Sequence, residues 1–240
     1  MAIHDSRLMR RVMVAEGTMA FHFSKPSGFR HEAGQSLLMT LVNPPETDSE
    51  GDARTFTIAS APHEAELMIA TRMRDTAFKR VLKSAPVGTT VRIDGPAGQM
   101  VVHGDAERPA VFLAGGIGIT PFLAMVRHAA HELLPHRLLL FYSNRRPEDA
   151  AFLDELQHME RLNRNYRLIA TMTEAEKSAQ PWSGETGFIR RELLERYVAE
   201  KTSPIYYFAG PPQMTGAMRQ MLKDIGVSED AMRCEEFYGY

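Results

Sequence analysis

The sequence predicts an α+β chain of two domains: a six-stranded antiparallel β-barrel over residues 1–104, then an α/β domain built on a parallel sheet over residues 105–240. Three observations carry this. As far as Gly104, short segments rich in β-branched and apolar residues recur between turn signals, the rhythm of a small barrel. Beyond Asp105, strand and helix patterns alternate about every 30 residues, as in stacked βαβ units. Between them, Gly104-Asp-Ala-Glu-Arg-Pro109 breaks both rhythms.

The first half contains six candidate strands, Arg7 to Ala15, Thr18 to Ser24, Ser36 to Val42, Arg54 to Ser60, Glu66 to Arg72 and Thr89 to Asp94. Its one helical candidate, Ala77 to Leu82, follows Asp75-Thr76, a pair suited to capping. In the second half the apolar runs Ala110 to Ala114, Leu138 to Tyr142, Arg167 to Thr171 and Ile205 to Ala209 read as buried strands. Helices are expected over Pro121 to Leu134, Pro147 to Arg161, Ile189 to Val198 and Pro212 to Ile225. Glu174 to Gly187 is polar and reads as loop.

Composition excludes several classes. A net charge of −2 with interspersed signs argues against a nucleic-acid or anionic-membrane surface. The single cysteine, Cys234, leaves no internal disulfide and no cluster held by four cysteines of this chain, so an iron–sulfur partner would be a separate polypeptide. Cys234 itself reads as a small apolar residue. The nine histidines show no metal-ligand spacing, and no metal is expected. The start lacks a basic segment leading into an apolar core, and no 18-residue apolar run occurs, so the chain reads as soluble and cytoplasmic.

The most telling run is Phe112-Leu-Ala-Gly-Gly-Ile-Gly-Ile-Thr-Pro-Phe122, where an apolar strand meets a glycine-rich turn that opens into a helix. Gly115, Gly116 and Gly118 let a ligand approach the main chain, and Thr120 and Pro121 suit the N-cap and first helical position. Unpaired amides and the positive end of the helix dipole then face a phosphate. No Gly-Lys-Ser/Thr follows, and Pro121 stands where the third glycine of Gly-x-Gly-x-x-Gly belongs, so neither common phosphate fingerprint applies.

With three further motifs, this run resembles the ferredoxin-NADP reductase superfamily in its compact form without an iron–sulfur domain. Arg54-Thr-Phe-Thr57 is similar to the family's Arg-x-Tyr-Ser/Thr flavin motif, and Gly115 to Pro121 to its Gly-Gly-x-Gly-x-Thr-Pro motif. Gly210-Pro-Pro-Gln-Met214 is similar to Cys-Gly-Pro-Pro-x-Met, and Glu235-Glu-Phe237 to the terminal Glu-x-aromatic. Each is weak alone; four in the family's order across nearly the whole chain are specific.

The resemblance implies FAD on the barrel and NAD(P)H as co-substrate on the nucleotide-binding domain. Arg54 would meet the flavin diphosphate, Phe56 would pack on the isoalloxazine, and Thr57 would reach its edge. Strand alternation agrees, since Arg54 and Phe56 share a face. Phe56 replaces the commoner tyrosine, removing a hydroxyl contact. Arg72, Asp75, Thr76 and Ala77 fall at the implied phosphate side; Asp75 and Thr76 serve equally as plain helix caps. Gly115, Gly116, Gly118, Thr120 and Pro121 would hold the dinucleotide. Ala209, Gly210, Pro211 and Met214 would border the nicotinamide, with Ala209 where many relatives carry cysteine and Met214 more core than contact. The resemblance assigns catalytic roles to Thr57, Glu235 and Phe237, the last covering the flavin face that nicotinamide must reach; Tyr238 and Tyr240 are alternative aromatics.

Ser143 and Arg145, with Arg146, could receive a ribose 2′-phosphate, whereas Glu174 and Glu176 would repel one; the choice between NADH and NADPH stays open with a lean to NADH. The expected activity is hydride uptake from NAD(P)H and electron delivery to a separate ferredoxin, flavodoxin or oxygenase component. Free flavin, ferric chelate or quinone are alternative small acceptors. A nucleotide-binding subunit of a larger complex, without turnover of its own, is the alternative outside enzymology.

Overall fold

A computed structural model describes residues 3–198 and 203–238. Its first six strands are β1 (Ile3–Ala15), β2 (Thr18–Ser24), β3 (Ser36–Leu41), β4 (Ala53–Thr57), β5 (Glu66–Arg72) and β6 (Thr90–Ala97). They pair antiparallel in the order β4-β3-β6-β1-β2-β5. Just past β4 the Ala59 amide donates to Met68 O at 2.7 Å, drawing the two ends of the sheet together into a barrel. Inward residues such as Leu8, Phe21, Phe23, Leu37, Met39, Ile69 and Ile93 fill it. Helix α1 (Ala77–Ser84) closes it with Phe78, Val81 and Leu82, and the Thr76 hydroxyl accepts from the Lys79 amide as the N-cap.

Strand β4 stops at Thr57, short of the expected Ser60: the Ile58 amide still donates in register to Gln35 O at 2.9 Å, but the next amide, of Ala59, turns away to Met68 O. Ile58 to Ala61 are all buried, so an apolar run continues where the strand does not.

The second sheet comprises β7 (Ala110–Gly115), β8 (Leu138–Asn144), β9 (Tyr166–Met172), β10 (Glu185–Thr186), β11 (Ile205–Gly210) and β12 (Met232–Glu236). All pairs are parallel, in the order β10-β9-β8-β7-β11-β12. The chain winds outward from β7 through β8 to β10, then returns to β11 on the other side of β7. The sheet order thus reverses between β7 and β11, where open α/β sheets form ligand crevices. Helices α2 (Thr120–His131) and α3 (Leu153–Leu162) cover one face over Phe112, Leu140, Tyr142 and Tyr207; α4 (Arg191–Tyr197) and α5 (Pro212–Asp224) cover the other over Val111, Phe141, Ile169 and Phe208.

Three expectations need correcting. The sheet has two more strands than the four expected: the polar stretch read as loop contributes β10, with Glu185 opposite Thr171, and the segment leading into Glu235-Glu-Phe237 forms β12, with Tyr206 opposite Met232 and Gly210 opposite Glu236. The helix expected over Pro147 to Arg161 is broken: Pro147–Asp149 form a single 3-10 turn, Phe152 takes φ 61°, and α3 begins at Leu153. Thr120 is no N-cap. Gly116–Ile119 already form a 3-10 turn that runs into α2, so Thr120 is a helical residue whose hydroxyl donates back to Ile117 O at 3.1 Å.

The halves share one continuous core, because barrel residues Ala20, Ala59, Met68 and Ala70 pack with Ile119, Phe122 and Leu123. Buried polar groups fix the linker. His103 Nε2 lies 3.0 Å from Arg108 O, and a carbonyl only accepts, so Nε2 carries the proton and Nδ1 is bare. Nδ1 therefore accepts from the Tyr207 hydroxyl at 2.8 Å, while the Tyr207 oxygen accepts from the His103 amide at 2.9 Å. Burial lowers the His103 pKa and favours this neutral form. Tyr207→Phe removes the partner of both groups inside the protein and should lower stability by about 1 to 3 kcal/mol, read from chemical denaturation; an unchanged midpoint would show that water replaces the hydroxyl.

Candidate functional site

At the C-terminal ends of β7 and β11 the backbones touch. A side chain on Gly118 would place its Cβ 2.1 Å from Ala209 O and 2.8 Å from Gly210 Cα, so only glycine permits this contact. Gly116 takes φ 52°, the left-handed region that turns the chain from strand to helix. Met214 packs its sulfur over Gly115 and Gly210 from α5. The crevice thereby gathers Gly115, Gly116, Gly118, Thr120, Pro121, Ala209, Gly210, Pro211 and Met214. Thr120 and Ala209 are fully buried and act as its frame. Ser143 stands beside Gly115 across the β7–β8 pair, half-buried.

Arg145 and Arg146 both donate to the buried Asp149 carboxylate, and Arg146 also pairs with Glu16 in the barrel's β1–β2 turn at 2.7 Å. Arg146 is thereby an interdomain tie, whereas Arg145 remains half-exposed with one N–H engaged.

On the barrel, Arg54 and Phe56 converge on Phe78 as alternation requires: the guanidinium carbon lies 5.3 Å from that ring's centroid and the Phe56 centroid 5.7 Å. Thr57 is buried, and its Oγ1 has no hydrogen-bond partner. Arg54 is held by the β3–β4 loop, donating to Asp48 Oδ1 at 3.2 Å and to the carbonyls of Glu50, Gly51 and Ala53. The other Asp48 oxygen accepts from the Ala77 amide at 3.0 Å, the first of α1. Asp75 faces away from those amides and pairs with Arg80 at 2.5 Å. Arg72 closes β5, half-buried, opposite Thr18. Asp48 escaped the sequence reading, since an acidic loop residue reads as solvated and its Ala77 partner lies 29 residues on.

Strand β12 sets Glu235 opposite Ala209. Its Oε2 is buried and unpartnered, and burial pushes the carboxyl up to about 7. Glu235 lines a cavity of about 770 Å³ between the barrel loops and β12, together with Glu32, Gly34, Gln99, Met100 and Arg233. The Phe237 amide donates to Gly210 O at 3.0 Å, which holds this half-buried residue at the crevice. Tyr238 departs: it is exposed and its hydroxyl bonds Glu236, which also accepts from Thr215 of α5. Tyr240 lies outside the described residues. Among the described residues no group of three metal-ligating side chains assembles, and no helix is long and apolar enough to cross a membrane.

A barrel packs on a parallel sheet whose glycine-rich turn marks the topological switch, the place where open α/β sheets form ligand crevices. Residues 112–220 match the oxidoreductase NAD-binding domain family. The two-sheet arrangement is the fold of ferredoxin-NADP reductases. Its fold matches a ferredoxin NADP+ reductase from Neisseria gonorrhoeae with bound FAD and NADP at TM-score 0.81 and 20% identity, over 98% of each chain. A cytochrome P450 reductase of Amycolatopsis superposes at TM-score 0.82 and 19% identity, over 98% of this chain and 70% of that one. Among curated relatives, a glycine betaine monooxygenase reductase subunit of Chromohalobacter salexigens is 27% identical over 223 residues, 92% of this chain. One component of the Na(+)-translocating NADH-quinone reductase of Methylococcus capsulatus is 31% identical over 156 residues, 63% of this chain. The matches span 60% of the length of the monooxygenase relative and 38% of the quinone reductase component.

Glu235 supplies a test that needs no ligand. Its folded pKa lies above the unfolded carboxylate value, so the folded state binds the extra proton, and stability falls as pH rises from about 4.5 through about 7. Glu235→Gln should raise the melting temperature at pH 8, by on the order of 2 kcal/mol in stability, and leave it nearly unchanged at pH 4. Equal melting curves at pH 8 would show that the carboxylate is solvated.

Proposed function

We propose that this chain is an FAD-dependent reductase that takes hydride from NAD(P)H and passes electrons to a separate acceptor protein, with residues 1–104 binding the flavin and 105–240 the nicotinamide dinucleotide. The observation that carries the reading is a pair of orphaned polar atoms, Thr57 Oγ1 on the barrel and Glu235 Oε2 on β12. Leaving such groups buried without a partner costs about 1 to 3 kcal/mol each, a strain that a ligand with matching polar atoms relieves.

The residues fit the flavin. Arg54 and the Ala77 amide form an anion clamp whose chemistry is evident in the carboxylate they hold. Phe56 is half-buried with its ring on the same side. When bound, FAD supplies the acceptor atom for hydride and the means to release electrons singly. Thr57 would hold the ring edge, Glu235 would hold a proton near neutrality, and Phe237 would cover the ring face. Gly116 and Gly118 would bring main-chain amides to the nicotinamide dinucleotide, and the packed crevice would exclude water.

The relative named as a monooxygenase reductase supports a protein acceptor of the oxygenase-component, ferredoxin or flavodoxin type. The quinone reductase relative supports quinone as the alternative acceptor. A reducing cytoplasm suits a chain whose only cysteine is the half-buried Cys234.

The purified chain should be yellow and should bleach under anaerobic NADH or NADPH; a colourless chain that takes up no added FAD would overturn the reading. Gly116→Val, which fills the turn and strains its left-handed backbone, should raise KM for the dinucleotide at near-normal flavin content. Unchanged saturation kinetics would reduce the turn to a connector. Phe237→Ala should bind NAD+ or NADP+ several-fold to about tenfold tighter while turnover slows, as expected if stacking of about 0.5 to 1.5 kcal/mol is removed. Titration by flavin absorbance checks it, and equal affinities would place Phe237 off the ring.

A further inference from the structure

We propose that the Asp48 carboxylate competes with the flavin diphosphate for one pair of donors, the Arg54 guanidinium and the Ala77 amide, so that the β3–β4 loop sets how tightly the chain holds its flavin. The inference rests on the flavin reading above. It follows from where each donor points. Arg54 gives one terminal nitrogen to Asp48 and Glu50, at 3.2 and 2.9 Å, and the other to three loop carbonyls. The Ala77 amide, the natural anion donor at the start of α1, gives its proton to the same carboxylate at 3.0 Å. Asp48 thus spans a strand cation and a helix terminus, the span that a diphosphate anchored at both ends would need.

Two further contacts make the loop a latch. Glu46 forms a bidentate pair with Arg80 on α1, and Asp48 Oδ1 also accepts from the Glu50 amide, which fixes the carboxylate's direction. A tethered anion competes at an effective concentration set by its loop, in the millimolar range or above. A dinucleotide therefore meets donors that are engaged for most of the time, and its apparent affinity falls by the fraction engaged. The diphosphate displaces the carboxylate because it brings more charge and more acceptor oxygens to the same two donors. Glu46, Glu50 and Asp52, on the same loop, add repulsion toward the incoming phosphates.

The test is FAD affinity. Wild type, Asp48→Asn and Arg54→Ala would be freed of flavin by dialysis at high salt, then titrated with FAD by quenching of flavin fluorescence and with ADP by calorimetry. Asparagine keeps the turn to Glu50 and removes the charge; Asp48→Ser serves if that variant misfolds. Asp48→Asn should bind both FAD and ADP about tenfold more tightly, and Arg54→Ala about tenfold or more weakly. Equal or weaker FAD binding by folded Asp48→Asn and Asp48→Ser would overturn the competition while leaving the flavin reading intact. Failure of all the proteins, wild type included, to bind FAD would overturn the flavin reading and the competition with it.

Discussion

Arg127 is the charge on which the arrangement of the two halves depends. Its side chain is 15% exposed, and it donates to both oxygens of Glu155 on α3, at 2.5 and 2.8 Å, and to Glu64 of the barrel at 3.2 Å. Glu64 in turn accepts from the Ala61 amide at 2.6 Å, so α2, α3 and the loop between β4 and β5 meet at one guanidinium. A buried cation without these partners would be strongly destabilising, so the domains have one favourable register against each other. Around it the His63 and His131 rings stack at 3.7 Å, and the Glu16 amide donates to Glu148 O across the same seam.

On the proposed function, the seam lets two sites on separate sheets serve one reaction. A hydride passes only between rings held in contact, and neither half could impose that distance through a flexible joint. The continuous core through Ala59, Met68, Ile119 and Phe122 supplies the stiffness. Two of the buried polar atoms without a partner, on Thr57 and Glu235, belong to residues proposed to meet the ligands.

Much of this was legible in the sequence, for physical reasons. Glycine and proline report their own backbone angles, so the turn from Gly115 to Pro121 announced itself. Period-two alternation placed Arg54 and Phe56 on one face, and the structure aims both at Phe78. Other features were not local. Thr120 has the chemistry of a cap, yet the 3-10 turn ahead of it moves the helix start upstream and leaves it inside. Strand β12 reads Met-Arg-Cys-Glu-Glu, and its charges hide an extended segment that only pairing with β11 reveals. Asp48 meets Arg54 and Ala77 through the fold alone. The motif drew attention to Arg54 and Phe56; nothing in it pointed to the Asp48 carboxylate beside them.

The strand order has a consequence for how the molecule is made. Strand β7 lies at the centre of the parallel sheet with every residue buried, and its partners are β8, which soon follows, and β11, whose Ile205 pairs with Ala110. On the ribosome β8 emerges early and β11 much later, so one apolar edge of β7 must wait through α2, α3 and α4 for its neighbour. Non-local parallel pairing of this kind is slow, and a waiting edge is prone to aggregation. The crevice at the ends of β7 and β11 is therefore among the last parts of the sheet to come into being during synthesis.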